Sequence, residues 1–585
     1  MKKMNHIAVI LLTIILCSCE KFMEPAMDSY MRDWQIEQSR DNFRGLLYNT
    51  YLGLPTRINF VFEAATDNAV TNIDNTSSSR AARGGISYIN NPLDNINQNG
   101  LNDTYWRYNY MHINRINYFL EKMTYDESKN PPTPVIFEFE EIPNKEWFWL
   151  LMGEAHFLRA WYQFEQLQKY GGVTPDGQVY GFPVITKYLT VNDELDLPRN
   201  TYQACVDQIV TDCEEAVKYL SLNYTQADAP IWDEGVMGSG RASGVAALAL
   251  KARTLLYAAS PAYNIENDVE KWKKAAQAAQ EVIDVLGFDD LMTYAAYFDI
   301  NNLNNNAYNN RDILFRGTIT DAIRTYETEN FPPRVSGGNG TYNPTQNLVD
   351  AFPMCDGYPR NQSPDYPYTE DNMYDNRDPR LAQFILYTNH PVTGWGGLAN
   401  PNTIQTQPGG NDAFGTNVNA TRTGYYLRKW LNGSVRLTGT LVNTRIAPVL
   451  IGRAELYLNF AEAAFHATGN PDDATYGYTA REALAKVRNR ALGNDNDKYL
   501  PVVTNNEFVE VLRNERRIEL CFEGHRFWDL RRWSAGINDL TAINTSVYGL
   551  YSSTPVETRQ YNSPYMPLPY GEILKTNNLV NNAGW

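Results

Sequence analysis

The chain has little of what metal and redox chemistry draws on: six histidines and six cysteines in 585 residues. His6, His112, His156, His390, His466 and His525 show neither H-x-x-H nor H-E-x-x-H spacing, so no metal ligand pair is read from them. Cys205 and Cys213 lie on one predicted helix, about 12 Å apart along its axis, too far to bridge there. Cys355 and Cys521 are isolated, so all four read as free or buried thiols. Positive charge is short as well. Lys and Arg number 51 against 67 Asp and Glu, a net charge of -16, which argues against nucleic acid and against a basic membrane patch. Gly238 to Ser243, GSGRAS, lacks both a P-loop lysine and a G-x-S-x-G elbow. Asp495-Asn496-Asp497 supplies too few oxygens for calcium and reads as a turn. No cofactor and no metal are expected.

Long apolar runs are missing except at the start. Met1-Lys2-Lys3 precedes Ile7 to Leu16, then Cys17-Ser18-Cys19. A basic n-region and a short h-region make residues 1–18 a secretory signal peptide, too short to span a membrane. Leu16 to Cys19 looks like a bacterial lipobox, with cleavage before Cys19 and lipidation of its thiol. Such a protein is anchored on a membrane, not in it. Residues 19–31 then read as anchor and tether.

What is abundant is helical periodicity and aromatic side chains, with 39 Tyr and 12 Trp. Apolar spacing predicts helices over Asp41 to Leu54, Trp106 to Met123, Glu146 to Tyr170, Thr201 to Leu220 with Thr201 as N-cap, Gly244 to Ser260, Trp272 to Leu286, Gly452 to His466 and Arg481 to Leu492. Ala160 to Phe164 and Ala461 to Phe465 each match the A-x3-F element of tetratricopeptide units, which points to stacked helix pairs. Thr66 to Asn102 is a loop region rich in Asn, Ser and Gly. Asp289 to Arg445 carries Pro, Gly, Asn and Tyr with short strand-like runs such as Ile313 to Phe315. Long irregular stretches in a compact protein are commonly functional.

The densest pattern is EFVEVLRNERRIELCFEGHRFWDLRRW, Glu507 to Trp533. Phe508, Val511, Leu512, Ile518 and Phe522 form an apolar stripe. Glu515, Glu519 and Glu523 form an i, i+4 ladder, with Arg513, Arg516, Arg517, Arg526, Arg531 and Arg532 in sequence reach, and Asp529 between them. Such charge beside Phe and Trp implies partly buried ion pairs. The i, i+4 carboxylates are spaced near enough for glycosidase chemistry. A general acid needs a raised pKa, however, and flanking arginines lower it. A structural role fits better.

ERRIELCFEGHRFWDLRRW resembles the C-terminal signature of the SusD/RagB family, surface lipoproteins of Bacteroidota that capture nutrients for a TonB-dependent transporter. GEAHFLRAWYQF (153–164), NPTQNLVDAFPMCDG (343–357), Asp378-Pro379-Arg380-Leu381 and the tail from Tyr565 to Trp585 are similar to further motifs of that family. The resemblance implies a mainly α, SusD-like fold with tetratricopeptide-type helix pairs and a loop-rich region with short strands. It implies an N-terminal part (32–243) and a C-terminal part (244–585, containing loop-rich 289–445) in one globular unit. It implies a lipid-anchored protein on the outer face of the outer membrane. Such a protein captures oligosaccharides without cleaving them and passes them to a SusC-like TonB-dependent transporter. The alternatives are a RagB-like peptide binder and, less in keeping with the motifs, a secreted glycoside hydrolase. By the same resemblance the ligand face draws on the first loop and the central region: Asp67, Asn68, Asn72, Arg80, Arg83 and Tyr88, then Tyr326, Tyr342 and Trp395. Trp395, in TGWGG with no periodic element around it, is expected to be exposed and suited to a sugar ring. The first loop has no Trp, whereas the starch-binding prototype has one there, which argues against starch.

Overall fold

The computed structural model describes residues 40–98, 101–126, 128, 133–134, 146–222, 240–299, 310–317, 325–399, 402–444 and 446–585. The signal, Cys19 and tether readings lie outside these, as does most of Asn301 to Asn310.

The frame consists of helices α1 (Arg40–Tyr51), α2 (Tyr105–Lys122), α3 (Glu146–Tyr170), α4 (Tyr202–Tyr219), α5 (Gly244–Ala259), α6 (Val269–Leu286), α7 (Arg453–Thr468), α8 (Ala480–Leu492), α9 (Asn505–Glu519) and α10 (Arg526–Arg532). From α1 to α9 each helix packs on the next, and the odd-numbered helices also touch in order, α1 on α3, α3 on α5, α5 on α7 and α7 on α9. This is a stack of helix pairs with the odd helices inside.

Composition follows position. Inner α7 is buried at every residue from Arg453 to Phe465. Inner α5, GVAALALKARTLLYAA, is buried nearly all round, and its alanines let neighbours approach closely. Outer α6 buries a single face, Trp272, Ala275, Ala276, Ala279, Val282 and Ile283. Both A-x3-F pairs lie on inner helices and are buried. One continuous apolar core takes residues from Leu47 to Leu568 and so crosses position 243.

Helix limits differ from the periodicity by a few residues. Thr201 caps α4 as expected, accepting from Ala204 N at 3.2 Å. α6 starts earlier than predicted because Asp268 caps it, its Oδ1 accepting from Glu270 N at 2.9 Å. α1 ends at Tyr51, not Leu54. Gly53 lies so close to α2 and α3 that a Cβ there would come 2.3 Å from Tyr162 Oη and 2.4 Å from His112 Nε2. Cys205, Cys213 and Cys521 are buried and Cys355 half-buried, all as free thiols.

The loop-rich region leaves the stack after α6 and returns at α7. Antiparallel strands β2 (Ile313–Arg316) and β4 (Val449–Gly452) pair across its neck. β1 (Ala69–Thr71) from the first loop pairs antiparallel with β3 (Tyr342–Pro344) from the central region. The two loop regions are therefore fastened to each other.

Candidate functional site

The Glu507 to Trp533 stretch lies where the helix stack meets both loop regions. α9 ends at Glu519, and Phe522 (φ 58°) and Gly524 (φ 84°) turn the chain into α10. The Glu ladder is buried more deeply than sequence suggests, and its partners are not the arginines beside it. Glu515 pairs with Arg380 and, at 3.3 Å, with Arg488. Glu519 pairs with Arg490 and, at 2.8 Å, with Arg380, and accepts from Tyr294 Oη at 2.5 Å. Glu523 takes Lys429 at 2.6 Å. The neighbouring arginines reach elsewhere. Arg516 donates to Asp529 at 3.0 Å, and Arg532 holds Glu462 at 2.6 Å and Asp529 at 2.9 Å. Arg517 and Arg526 both grip Asp67, at 2.8 and 2.9 Å. The reason is geometric: α9 is wedged against α7 and α8, so each of its faces meets a different element. Against the expectation for the ladder, the Glu515 and Glu523 pKa values are raised, because burial outweighs their cations. Burial alone would raise the Glu519 pKa too, but Arg490 and Arg380 bring it down to about 2. A carboxylate held ionised in this way cannot act as a general acid.

Most residues expected on the ligand face are committed to this framework. Asp67 is buried under its two arginines. Asn68 is fully buried, donating to Glu63 at 2.7 Å and accepting from Arg517 at 2.8 Å. Asn72 is buried, and its Nδ2 donates to the carbonyls of Asn339 (2.7 Å) and Asn419 (3.0 Å). Tyr326 is buried, its Oη accepting from Ile58 N at 2.8 Å. Half-buried Tyr342 sits edge-on to Phe60, centroids 5.4 Å apart. The Asn-rich first loop reads as exposed, yet it is clamped between the signature stretch and the central region. Arg83 and Tyr88 are exposed, but Arg83 leans on Ser79 and Tyr88 packs edge-on to Tyr570.

Trp395 is placed differently. It opens a short 3-10 turn, Trp395–Gly397, where no helix was expected, and it is half-buried, not free. One ring face tilts against Phe331, centroids 5.4 Å apart, and a Cβ on Gly433 would strike its Nε1 at 2.5 Å. It lines a cavity of about 550 Å³ with Phe298, Gln383, Arg428, Trp430 and Asn432. Trp430 is buried in the left-handed region at φ 71°, which for a bulky side chain costs about 1–3 kcal/mol. Its Nε1 is buried with no hydrogen-bond partner among the described residues. Such strain and such an unsatisfied donor concentrate where ligands bind. Sequence reasoning missed Phe298, Gln383, Arg428, Trp430 and Asn432. The run LRKWLNG, Leu427 to Gly433, with cation, indole and amide together outside any helix, was the available signal.

A second cavity, about 620 Å³, lies between the first loop and the stack, with Arg80, Asn91, Tyr105, Lys169, His525 and Trp528 among its walls. Two of its aromatic faces are taken by a cation: the Lys169 ammonium stands 4.5 Å from the Tyr105 ring centre and 5.8 Å from that of Trp528.

Comparison with known proteins agrees with this architecture. Residues 297–585 match the model of the SusD family, and residues 21–256 match one described as starch-binding, associating with outer membrane. The chain belongs to the SusD/RagB family. A SusD-like protein of Formosa agariphila is 24% identical over 571 residues, covering 93% of this chain and 94% of that protein. A SusD-like protein of Bacteroides fragilis superposes with a TM-score of 0.72 at 23% identity, covering 96% of this chain and all (100%) of the other. A SusD-like carbohydrate-binding protein of the same species gives 0.68 at 20% identity, covering 93% and 99%. A laminarin-binding SusD-like protein gives 0.57 at 19% identity, covering 94% and 100%. At these identities the solved structures establish the fold.

Proposed function

We propose that this protein is a cell-surface lipoprotein, lipidated at Cys19, that binds an oligosaccharide and delivers it uncleaved to a SusC-like TonB-dependent transporter. The ligand lies in the Trp395 cavity. The carrying observation is the half-buried indole of Trp395, with Phe298, Gln383, Arg428 and Asn432 lining the same cavity. Sugars present C–H faces to aromatic planes and hydroxyls to amides and N–H donors. Family membership supports glycan binding and outer-membrane association, and laminarin binding by a protein of this fold is consistent with it. Of the residues first expected at the ligand, Trp395 alone lines this cavity.

The test is a binding screen of the purified protein against plant, microbial and host glycans and peptide pools, repeated with Trp395→Ala. Glycan binding lost in the variant supports the reading; peptide binding alone moves it to the RagB-like alternative. For the anchor, Cys19→Ala releases the protein from membranes, and continued membrane fractionation with acylation contradicts lipidation at Cys19. Purification from native membranes without a co-purifying barrel protein counts against the transporter partner.

A further inference from the structure

We infer that the Trp395 cavity takes a negatively charged oligosaccharide, its carboxylate or sulfate group set on Arg428, with Arg436 at the rim. This rests on the reading of the cavity as the glycan site. The cavity wall contains Arg428 and Lys429 and no Asp or Glu among the described residues, in a chain of net charge -16. The two cations differ. Lys429 is matched by Glu523 at 2.6 Å and donates to the carbonyls of Glu519 and Cys521. Arg428 has no carboxylate within ion-pair reach among the described residues. Its Nη1 donates to the Ala382 carbonyl and lies 3.0 Å from His390 Nε2. Burial and the Arg428 charge hold the His390 pKa down to about 4, so that imidazole is neutral at pH 7 and supplies no counter-charge.

Other buried arginines without carboxylates are enclosed, Arg377 and Arg199 by carbonyls and Arg531 by the Phe527 and Tyr561 rings. Arg377 donates to the carbonyls of Pro353, Met373, Val349 and Phe352, and Arg199 to those of Gly181, Val580, Tyr170 and Tyr180. Arg428 makes no such cage: Nε and Nη2 have no partner among the described residues, and the residue lines open space. Exposed Arg436 stands beside the Trp395–Gly397 turn, where a Cβ on Gly397 would lie 3.4 Å from its Nε, and it too has no carboxylate partner among the described residues. Three carboxyls stand behind the wall and each is engaged: Glu523 with Lys429, Glu519 with Tyr294 Oη, Arg490 and Arg380, and Glu327 with Asn432 N at 3.0 Å, where burial pushes the Glu327 pKa up to about 7. A guanidinium fork matches a carboxylate or sulfate with two parallel hydrogen bonds. The indole of Trp395 then covers the ring that bears the charged group.

The test titrates the full-length protein with three probe sets: neutral hexaoses of maltose, cellulose and laminarin type; galacturonate and guluronate oligomers; and sulfated galactan oligomers. Wild type, Arg428→Gln, Arg428→Lys and Trp395→Ala are compared. We expect binding in an acidic set, weakened at least tenfold by Arg428→Gln, partly kept by Arg428→Lys, lowered by Trp395→Ala and weakened by raising NaCl from 50 to 500 mM. Whichever acidic set binds tells carboxylate from sulfate. A neutral probe that binds in a Trp395-dependent way, indifferent to Arg428→Gln and to salt, overturns the charge inference and leaves the site intact. Binding indifferent to Trp395→Ala overturns the site as well. If Arg428→Gln fails to fold, the salt response of wild type and the loss in Arg436→Gln decide in the same sense.

Discussion

In the buried hub Arg380 meets Asp378, Glu515 and Glu519, while at the Trp395 cavity Arg428 meets a carbonyl and a neutral imidazole. The first guanidinium is fully enclosed and its charge is returned by three carboxylates. The second is half-buried and its charge is not returned. The same contrast holds for aromatic groups. Trp533 Nε1 donates to Glu462 at 2.7 Å, whereas Trp430 Nε1 has no partner among the described residues. Ion-paired carboxylates fasten the stack to its loops, and Arg428, without one, lines space that a ligand can fill. Removing one partner of a matched set strands a buried charge; removing one wall of the cavity strands nothing.

The largest effect is therefore expected in the hub. Arg380→Ala leaves Glu515 and Asp378 short of a counter-charge, and loss of ~3–5 kcal/mol of stability follows. Glu519→Ala leaves Arg490 with Asp312 alone, at 3.6 Å, and costs ~3 kcal/mol by the same argument. Denaturant midpoints measure both. A midpoint close to wild type for Arg380→Ala removes the hub as the fastening between stack and loops.

Individual carboxylates differ in the sign of their shift, and within the hub burial raises Glu515 and Glu523. Burial opposes ionisation of Glu455, Glu462 and Glu519, but their arginine partners hold each at about 2, below the ordinary 4.5. The unfolded chain takes up these protons first, so this stability is present above pH 4.5 and is lost as pH falls towards 2. Glu327, behind the cavity, is raised by burial to about 7. Its contribution is present below pH 4.5 and is lost as pH rises through 7. Glu327→Gln should remove that decline, recovering up to ~3 kcal/mol at pH 8 relative to pH 5. Melting curves across pH 3 to 8 check both arms. An unchanged alkaline slope in the variant means Glu327 is ionised in the fold.

A smaller effect comes from Gly433→Ala. The added Cβ meets Trp395 Nε1 at 2.5 Å, so the indole must move off its seat. Affinity for the ligand should fall ~5- to 30-fold while the hub is untouched, as read by calorimetry beside a melting curve. Equal affinity means that the indole position is not what binds.

The stack was legible in the sequence because each helix carries its own periodicity and its own breakers, as in Glu146 to Tyr170 before Gly171-Gly172. The family signature was legible because it is contiguous. The partners of that signature were not. Arg380 and Arg490 lie on other elements, and nothing local in ERRIELCFEG names them. The first loop misled for the opposite reason. Asp67, Asn68 and Asn72 have loop composition, and composition reports chain conformation, not what packs on top. Trp395 was singled out because its glycines exclude a regular element. Trp430 was overlooked because its left-handed φ and its idle Nε1 arise from tertiary packing.

Titration calorimetry of Trp395→Ala against the best-binding oligosaccharide, paired with its melting curve, separates ligand binding from fold stability. We expect ~5- to 30-fold weaker binding, about 1–2 kcal/mol, with only a minor fall in melting temperature, since the indole is half-buried against Phe331. Undiminished affinity together with a large fall in melting temperature would place Trp395 in the framework and remove it from the ligand site.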